Sequence, residues 1–492
     1  MHELAQIIRT VVEFLNTIIW SFPVLFAIFG IGVYFSFNLK FFQFTKIKLM
    51  FKNIIGDHES DSGISVFSSL CTAMATRVGL GNIVGVAIAI YKGGPGTIFW
   101  MWVLCLVNAA MSFVECTLSQ LYKEKVDGEY RGSSAICALR GLGMKKYGVL
   151  LSLVLGLTIA FLAPAADSFS LTDAFSNATG APRWMFAFPM ACIFLAVVMG
   201  GIKRIGRFSS VFASAKVLLF LGSALIVILF HIDQIPAVFT MIFRGAFGLD
   251  QAIWGSIAYT IAFGFRRGQY AMNTGMGEAM PAAAAAQSKH PIVQGFSNAA
   301  GVFICGFGMC TFSAIMILST QCFFTESGYV GAGAAAISTL EPGVANIQAA
   351  YGTVFGQDFA NWFVVVFIAL FTINSLVGYY YESETSLLYL LQGEENERKR
   401  KMMKGVLRCV MFVLIFIYGN LRGDLAWDIS DFSIGSATIL NVIMLVMLSK
   451  KVFVLFNDYM KQHRAGKTPV FEAYKYEWKG VDTEIWSGER AG

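Results

Sequence analysis

Apolar residues run through this chain in blocks of about twenty, each able to cross roughly 30 Å of hydrocarbon as a helix, with short polar or charged stretches between them. Eleven such blocks can be marked, at 14–37, 64–91, 96–122, 147–169, 184–201, 208–230, 252–278, 293–321, 359–390, 403–420 and 432–449. The pattern predicts an all-α integral membrane protein with about eleven transmembrane helices. Two blocks are interrupted. In the first, Arg77-Val78-Gly79-Leu80-Gly81-Asn82 splits a run that begins at Ser65 and closes at Gly93-Gly94-Pro95-Gly96. In the second, Gly264-Phe265-Arg266-Arg267-Gly268 and Gly275-Met276-Gly277 precede a helix-forming run from Pro281 to Gln287. Glycine costs about 1 kcal/mol against alanine in a helix interior, so paired glycines invite the backbone to unwind. Unwound backbone at membrane depth survives only where protein buries it or a cavity hydrates it, and secondary transporters bind substrate and ions at such breaks.

Setting the first block aside leaves ten, and the two interrupted blocks stand first in each group of five. Five is odd, so the groups insert with opposite orientation, the inverted-repeat pattern that brings both breaks to one site near the bilayer midplane. The chain then divides into an N-terminal helix with an amphipathic segment (1–63), two five-helix repeats (64–231 and 232–449) and a charged tail (450–492).

Composition supports the membrane class. Hydrophobic residues reach 56% and charged residues only 14%, against about 45–50% and 25% in soluble domains, which argues against a soluble enzyme. Charge also has a side. With loops assigned alternately, 29 of the 37 Lys and Arg fall on one side, in 38–63, 123–146, 202–207, 266–291, 391–404 and the tail; five, Arg9, Lys92, Arg183, Arg244 and Arg422, fall on the other. Lys and Arg collect in cytoplasmic loops, so the expectation is a multi-pass plasma-membrane protein with its N-terminus outside and its C-terminus inside. The net charge of +6 reflects this sidedness rather than nucleic-acid binding, since no stacking aromatics alternate with the basic residues. The first block carries Glu13 and no small-residue cleavage site, and is read as a retained helix. Residues 322–357, without Lys or Arg, read as an outer loop or re-entrant helix. Nine cysteines without paired spacing read as small hydrophobes, and the five histidines lie at ends and in loops. No metal spacing, phosphate loop or Ser/His/Asp set points to an enzyme, and no cofactor is expected.

The candidate chemistry lies inside the apolar blocks. Arg77, Asp167 and Lys216 are charged residues at membrane depth, where such groups need partners or water and default to function, while Glu115 and Glu382 read as hydrated or paired scaffold groups rather than proton relays. Asp167 is the simplest partner for Arg77. Lys216 stands about two turns into its block, near 12 Å deep. Asn374-Ser375, one turn before Gly378-Tyr379-Tyr380-Tyr381, offers side-chain oxygens beside an aromatic wall.

Several stretches together resemble the alanine or glycine:cation symporters: Val78-Gly79-Leu80-Gly81-Asn82-Ile83, Gly93-Gly94-Pro95-Gly96 with Phe99-Trp100-Met101-Trp102, Gly201-Ile202-Lys203-Arg204-Ile205, and Arg267-Gly268 followed by Gly275-Met276-Gly277 and Ala282 to Ala286. The resemblance runs from about residue 14 to 450. It implies one extra N-terminal helix on a ten-helix LeuT-like inverted-repeat core that moves a small amino acid with sodium by alternating access. It further implies a substrate site at Gly79, Leu80, Gly81 and Asn82 in the first break, Tyr270, Asn273 and Thr274 at the second, Asp167, Ser375 and Tyr379. The half-helix that starts after Asn82 would receive the substrate carboxylate, Tyr270 and Tyr379 would close over its side chain, and Gly79, Asn374 and Ser375 would offer oxygens to sodium. The chain departs from the family pattern at Arg77 and Leu80, which stand where threonines are usual, and at Asp167, where the family has glutamine. It departs again at Ala271-Met272-Asn273-Thr274, Ala262, Cys305, Asn374 and Lys216. Arg77 and Lys216 are therefore candidates for a fixed charge in place of a coupling ion. Sodium symport leads, with proton-coupled or cation-independent transport, or a transport-inactive amino acid sensor, as the alternatives.

Overall fold

The computed structural model describes residues 2–55, 64–126, 129–249, 256–391 and 397–486. Helices dominate it, because a helix pairs its own backbone groups where lipid offers none. In chain order they are α1 (His2–Ile19), α2 (Phe22–Asn38), α3 (Ile47–Ile55), α4 (Val66–Arg77), α5 (Val84–Gly93), α6 (Thr97–Leu121), α7 (Lys145–Phe161), α8 (Pro164–Thr179) and α9 (Trp184–Val198). They continue as α10 (Gly201–Phe230), α11 (Ile235–Ala246), α12 (Ile257–Met272), α13 (Met280–Ala285), α14 (Ile292–Ser319), α15 (Val344–Phe355), α16 (Gln357–Leu390), α17 (Glu397–Tyr418) and α18 (Gly423–Arg464). Among the described residues, five helices, counting α7 with α8, are long and apolar enough to cross a membrane, and up to seven if each of two bent pairs is one span. The interrupted blocks fail that test because each is split. A small antiparallel hairpin, β1 (Glu124–Val126) and β2 (Glu129–Arg131), follows α6.

Several boundaries differ from the sequence expectation, each for a local reason. The first block bends by 46° between Ile19 and Phe22, where Pro23 opens α2. The fourth continues to Thr179, since Pro164 restarts the helix at its first turn, so Asp167 lies mid-span rather than near an end. The sixth starts at Gly201, which puts Lys216 about four turns in rather than two. Arg266 and Arg267, expected in an inner loop, are inside α12; buried Asp431 and half-buried Asp428 on α18 answer their charge. Residues 322–357 include α15, packed against α5 and α16.

Helices α12, α13 and α14 pack along α6, while α16 packs against α7 and α8. The end carrying the 93–96 turn is called the turn face here, and the opposite end, with the hairpin and tail, the tail face. At the tail face Ile64 and Ala286 form a parallel bridge, with Ile64 N–H donating to Ala285 O (3.1 Å) and Gln287 N–H to Ile64 O (3.0 Å). The segments leading into α4 and out of α13 are thereby tied. The described part of the tail folds back on this face: Phe471 N–H donates to Lys289 O at 2.9 Å, and the ring of Trp486 lies 4.7 Å from Lys123 Nζ.

Candidate functional site

The first break begins where α4 stops at Arg77. Gly79 is extended, Leu80–Asn82 form a single 3-10 turn, and α5 resumes at Val84. Asn82 binds the break to itself: its side-chain amide donates to Arg77 O at 2.8 Å and Gly79 O at 3.4 Å. Helix α14 closes the other side with a wide π-turn at Ile304–Cys310, where the Cys310 thiol donates to Asn82 Oδ1 (3.3 Å) and Ser313 Oγ to Asn82 O (2.7 Å).

The second break starts later than the sequence suggested. Tyr270 to Met272 remain helical, and the chain turns at Asn273 (φ 45°), then at Gly275 (φ 73°) and Gly277 (φ 93°), a left-handed conformation that asparagine tolerates and glycine adopts freely. Glu115 on α6, fully buried, receives two of the freed amides, Gly275 N–H at 3.1 Å and Gly277 N–H at 2.5 Å. Asn441 on α18 donates to the same carboxylate (3.0 Å) and to Gly275 O (2.9 Å), and the Gln269 side chain donates to Thr274 O. The sequence reads Glu115 as a paired scaffold group but does not disclose these partners. An acid between glycines and a distant asparagine has no local signature.

The two breaks touch. A Cβ built on Gly81 would lie 2.5 Å from a Tyr270 ring carbon and 3.3 Å from Ala271 Cα, so the close approach requires glycine. Beside this contact stands Asp167, 2% exposed, whose Oδ2 accepts from Tyr379 Oη at 3.1 Å. Leu80's backbone N–H faces the same carboxylate, and Lys216 acts on it electrostatically; Lys216 Nζ also lies 4.9 Å from the centre of the Phe371 ring. The expected pairing of Arg77 with Asp167 is not what forms. Arg77, 1% exposed, donates instead to Asn298 O (3.0 Å) and Ser112 Oγ (3.1 Å), and its charge acts on Glu115. Its place at the C-terminal end of α4 also suits a cation, since the helix dipole is negative there.

Around this centre lie polar atoms with nothing to bond. The Thr274 hydroxyl, both amide atoms of Asn374 and the Ser375 hydroxyl are buried without a hydrogen-bond partner among the described residues. Each such atom costs about 1–3 kcal/mol, so a polar solute or ion that completed the bonding would be favoured here, although such atoms also occur elsewhere among the described residues, at Gln43 and Ser152 for example. Of the residues singled out from the sequence, Gly81, Leu80 and Tyr270 come together with Asp167 and Tyr379, while Asn82 is committed to the break's own carbonyls.

Toward the turn face Tyr270 packs on Trp427 (ring centroids 5.3 Å apart), and Arg267 lies over both rings. Arg267 pairs with Asp431, which Arg266 also reaches at 2.6 Å while bonding Asp428 at 3.0 Å. Beyond this lid opens a cleft of about 580 Å³ lined by Asn16, Trp20, Tyr259, Phe263, Arg266 and Asp428. Toward the tail face a crevice of about 20 Å³, lined by Ser134, Gly277 and Glu382 among others, has room for about one water.

Comparison with known proteins follows the same lines. The model of the sodium:alanine symporter family matches residues 5–473. The protein named "Putative sodium/proton-dependent alanine carrier protein YrbD" of Bacillus subtilis (strain 168) is 34% identical over 476 residues, 96% of this chain and 97% of that one. The sodium/proton-dependent alanine carrier protein of Bacillus sp. (strain PS3) is 32% identical over 429 residues, covering 86% of this chain and 94% of its own. Among solved structures, MhsT in complex with L-phenylalanine superposes with a TM-score of 0.56 over 79% of this chain and 89% of that one, at 13% identity, a likeness of fold. The architecture is that LeuT-type fold.

Proposed function

Because this chain belongs to the sodium:alanine symporter family, whose members are transporters rather than enzymes, we propose that it carries a small amino acid of the alanine or glycine type by alternating access, with sodium as the coupling ion. The family itself supports cation-coupled amino acid transport. The observation carrying this reading is the meeting of the two breaks at Gly81 and Tyr270, with open polar atoms at Thr274, one turn beyond Tyr270, and at Asn374 and Ser375, one turn before Tyr379. Gly79, Asn374 and Ser375 are the oxygens offered to sodium. The turn face is the outside, as the charge sidedness suggests, so the Arg267–Asp431 lid stands between the outer cleft and the site.

A specific observation favours a second reading. Lys216 acts on Asp167 at the centre of the site, a fixed positive charge where a symporter needs a mobile one. Proton-coupled or cation-independent transport follows if Lys216 serves that purpose. The test is a thermal-shift screen of purified protein with small amino acids, with and without sodium, since a ligand that binds only the folded state raises its melting temperature. Sodium symport predicts a shift by alanine or glycine that grows with sodium; the second reading predicts a shift indifferent to sodium that Lys216→Met makes sodium-sensitive. No shift with any amino acid would remove both.

A further inference from the structure

The pocket contains its own carboxylate at the spot where an incoming one would dock. The amide of Leu80 points at Asp167, and Tyr379 Oη donates to Asp167 Oδ2 at 3.1 Å. The Leu80 amide is a donor that the first break would otherwise hold out to an anion. Four other amides of the breaks are also engaged: Asn82 N–H donates to Gly79 O (3.2 Å), Ile83 N–H to Leu80 O (3.1 Å), and Gly275 and Gly277 N–H to Glu115. A substrate carboxylate brought against Leu80 would thus meet a buried like charge in a medium of low dielectric. Asp167 Oδ1, by contrast, has no hydrogen bond of normal geometry among the described residues although the residue is 2% exposed. A buried carboxylate oxygen with an open acceptor position asks for a donor, and the strongest a small amino acid brings is its ammonium.

We infer that Asp167 sets the polarity of substrate binding: the ammonium group docks on Asp167 Oδ1, and the carboxylate points away from Leu80, the reverse of the orientation expected from the first break alone. This rests on the two breaks being the transport site. It makes Asp167 the specificity-determining residue, requiring a cationic amino group and placing little demand on the carboxylate, and it gives Tyr379 the task of holding the carboxylate in place through Oδ2. Lys216 balances the charge while the site is empty, so the pair leaves no net charge buried.

The experiment measures binding of three probes, L-alanine, L-alaninamide and propionate, to the full chain in lipid nanodiscs at pH 7, for the wild type and Asp167→Asn. The wild type is expected to bind alanine and alaninamide with similar affinity and propionate not at all. In Asp167→Asn both should weaken by at least about tenfold, the loss of one charge-assisted hydrogen bond. The proposal is overturned if Asp167→Asn leaves alanine binding unchanged or tightens it, as removal of a like charge would, or if the wild type binds propionate and rejects alaninamide. Should Asp167→Asn fail to fold, the three probes on the wild type decide alone. Wild-type protein that binds none of them would bring down the amino acid reading itself, and this inference with it.

Discussion

At the first break the groups freed by unwinding are met by near neighbours in the chain: Asn82 turns its amide onto the carbonyls of Arg77 and Gly79, five and three residues away. At the second break, the amides of Gly275 and Gly277 are met by Glu115, 160 and 162 residues away, and the Gly275 carbonyl by Asn441, 166 residues away. Both breaks lie buried in one site, yet the first is secured mainly by its own segment, with Cys310 and Ser313 of α14 adding bonds to Asn82, while the second, apart from the local bond of Gln269 to Thr274, is secured by α6 and α18. A segment that carries its own staple keeps its shape wherever its helices go. One held by two other helices feels any movement of those helices, so the second break is where displacement of α6 or α18 reaches the substrate.

That contrast predicts unequal damage. Glu115→Ala should do the most, because two amides and the Asn441 side chain lose their acceptor in a buried setting, at a cost of about 3–5 kcal/mol. A fall in melting temperature together with lost uptake is expected, and Glu115→Gln, which keeps one acceptor, should recover part of the stability. Equal stability of Glu115→Ala and the wild type would end the claim that this residue secures the second break. Gly81→Leu comes next. Its side chain would enter the Tyr270 ring, so uptake should vanish while the protein still inserts and elutes as a folded species. Normal uptake by that variant would separate the two breaks. Asn82→Ala should do least, removing a staple between partners already close in the chain, at about 1–2 kcal/mol by melting, with uptake reduced several-fold rather than lost. A larger loss than in Glu115→Ala would reverse the comparison.

The same contrast explains what the sequence discloses. Gly79-Leu80-Gly81-Asn82 was legible as a break because the glycines and the asparagine that staples it are adjacent. The family resemblance puts the second break at Tyr270, whereas α12 stays helical through Met272, with Arg266 and Arg267 held by aspartates on α18 more than 160 residues on. Arg266 and Arg267 were counted as loop residues because a charge in isolation reads as solvated. Arg77 and Asp167 looked like each other's partner as the isolated charges of two blocks, whereas packing gives Arg77 to Ser112 and Asn298, and Asp167 to Tyr379 with Lys216 nearby. Periodicity and glycine placement report on local backbone, and they carried the fold. Pairings between distant blocks depend on which helices become neighbours, and no single segment encodes them.

The most direct test of one shared transport site is accumulation of radiolabelled alanine in proteoliposomes under an imposed inward sodium gradient, repeated under a proton gradient and with Gly81→Leu. Wild-type protein should concentrate alanine above the external level under at least one of the two gradients, and Gly81→Leu should not. Alanine that binds the wild-type protein yet never accumulates under either gradient, or that accumulates equally with Gly81→Leu, would contradict the account.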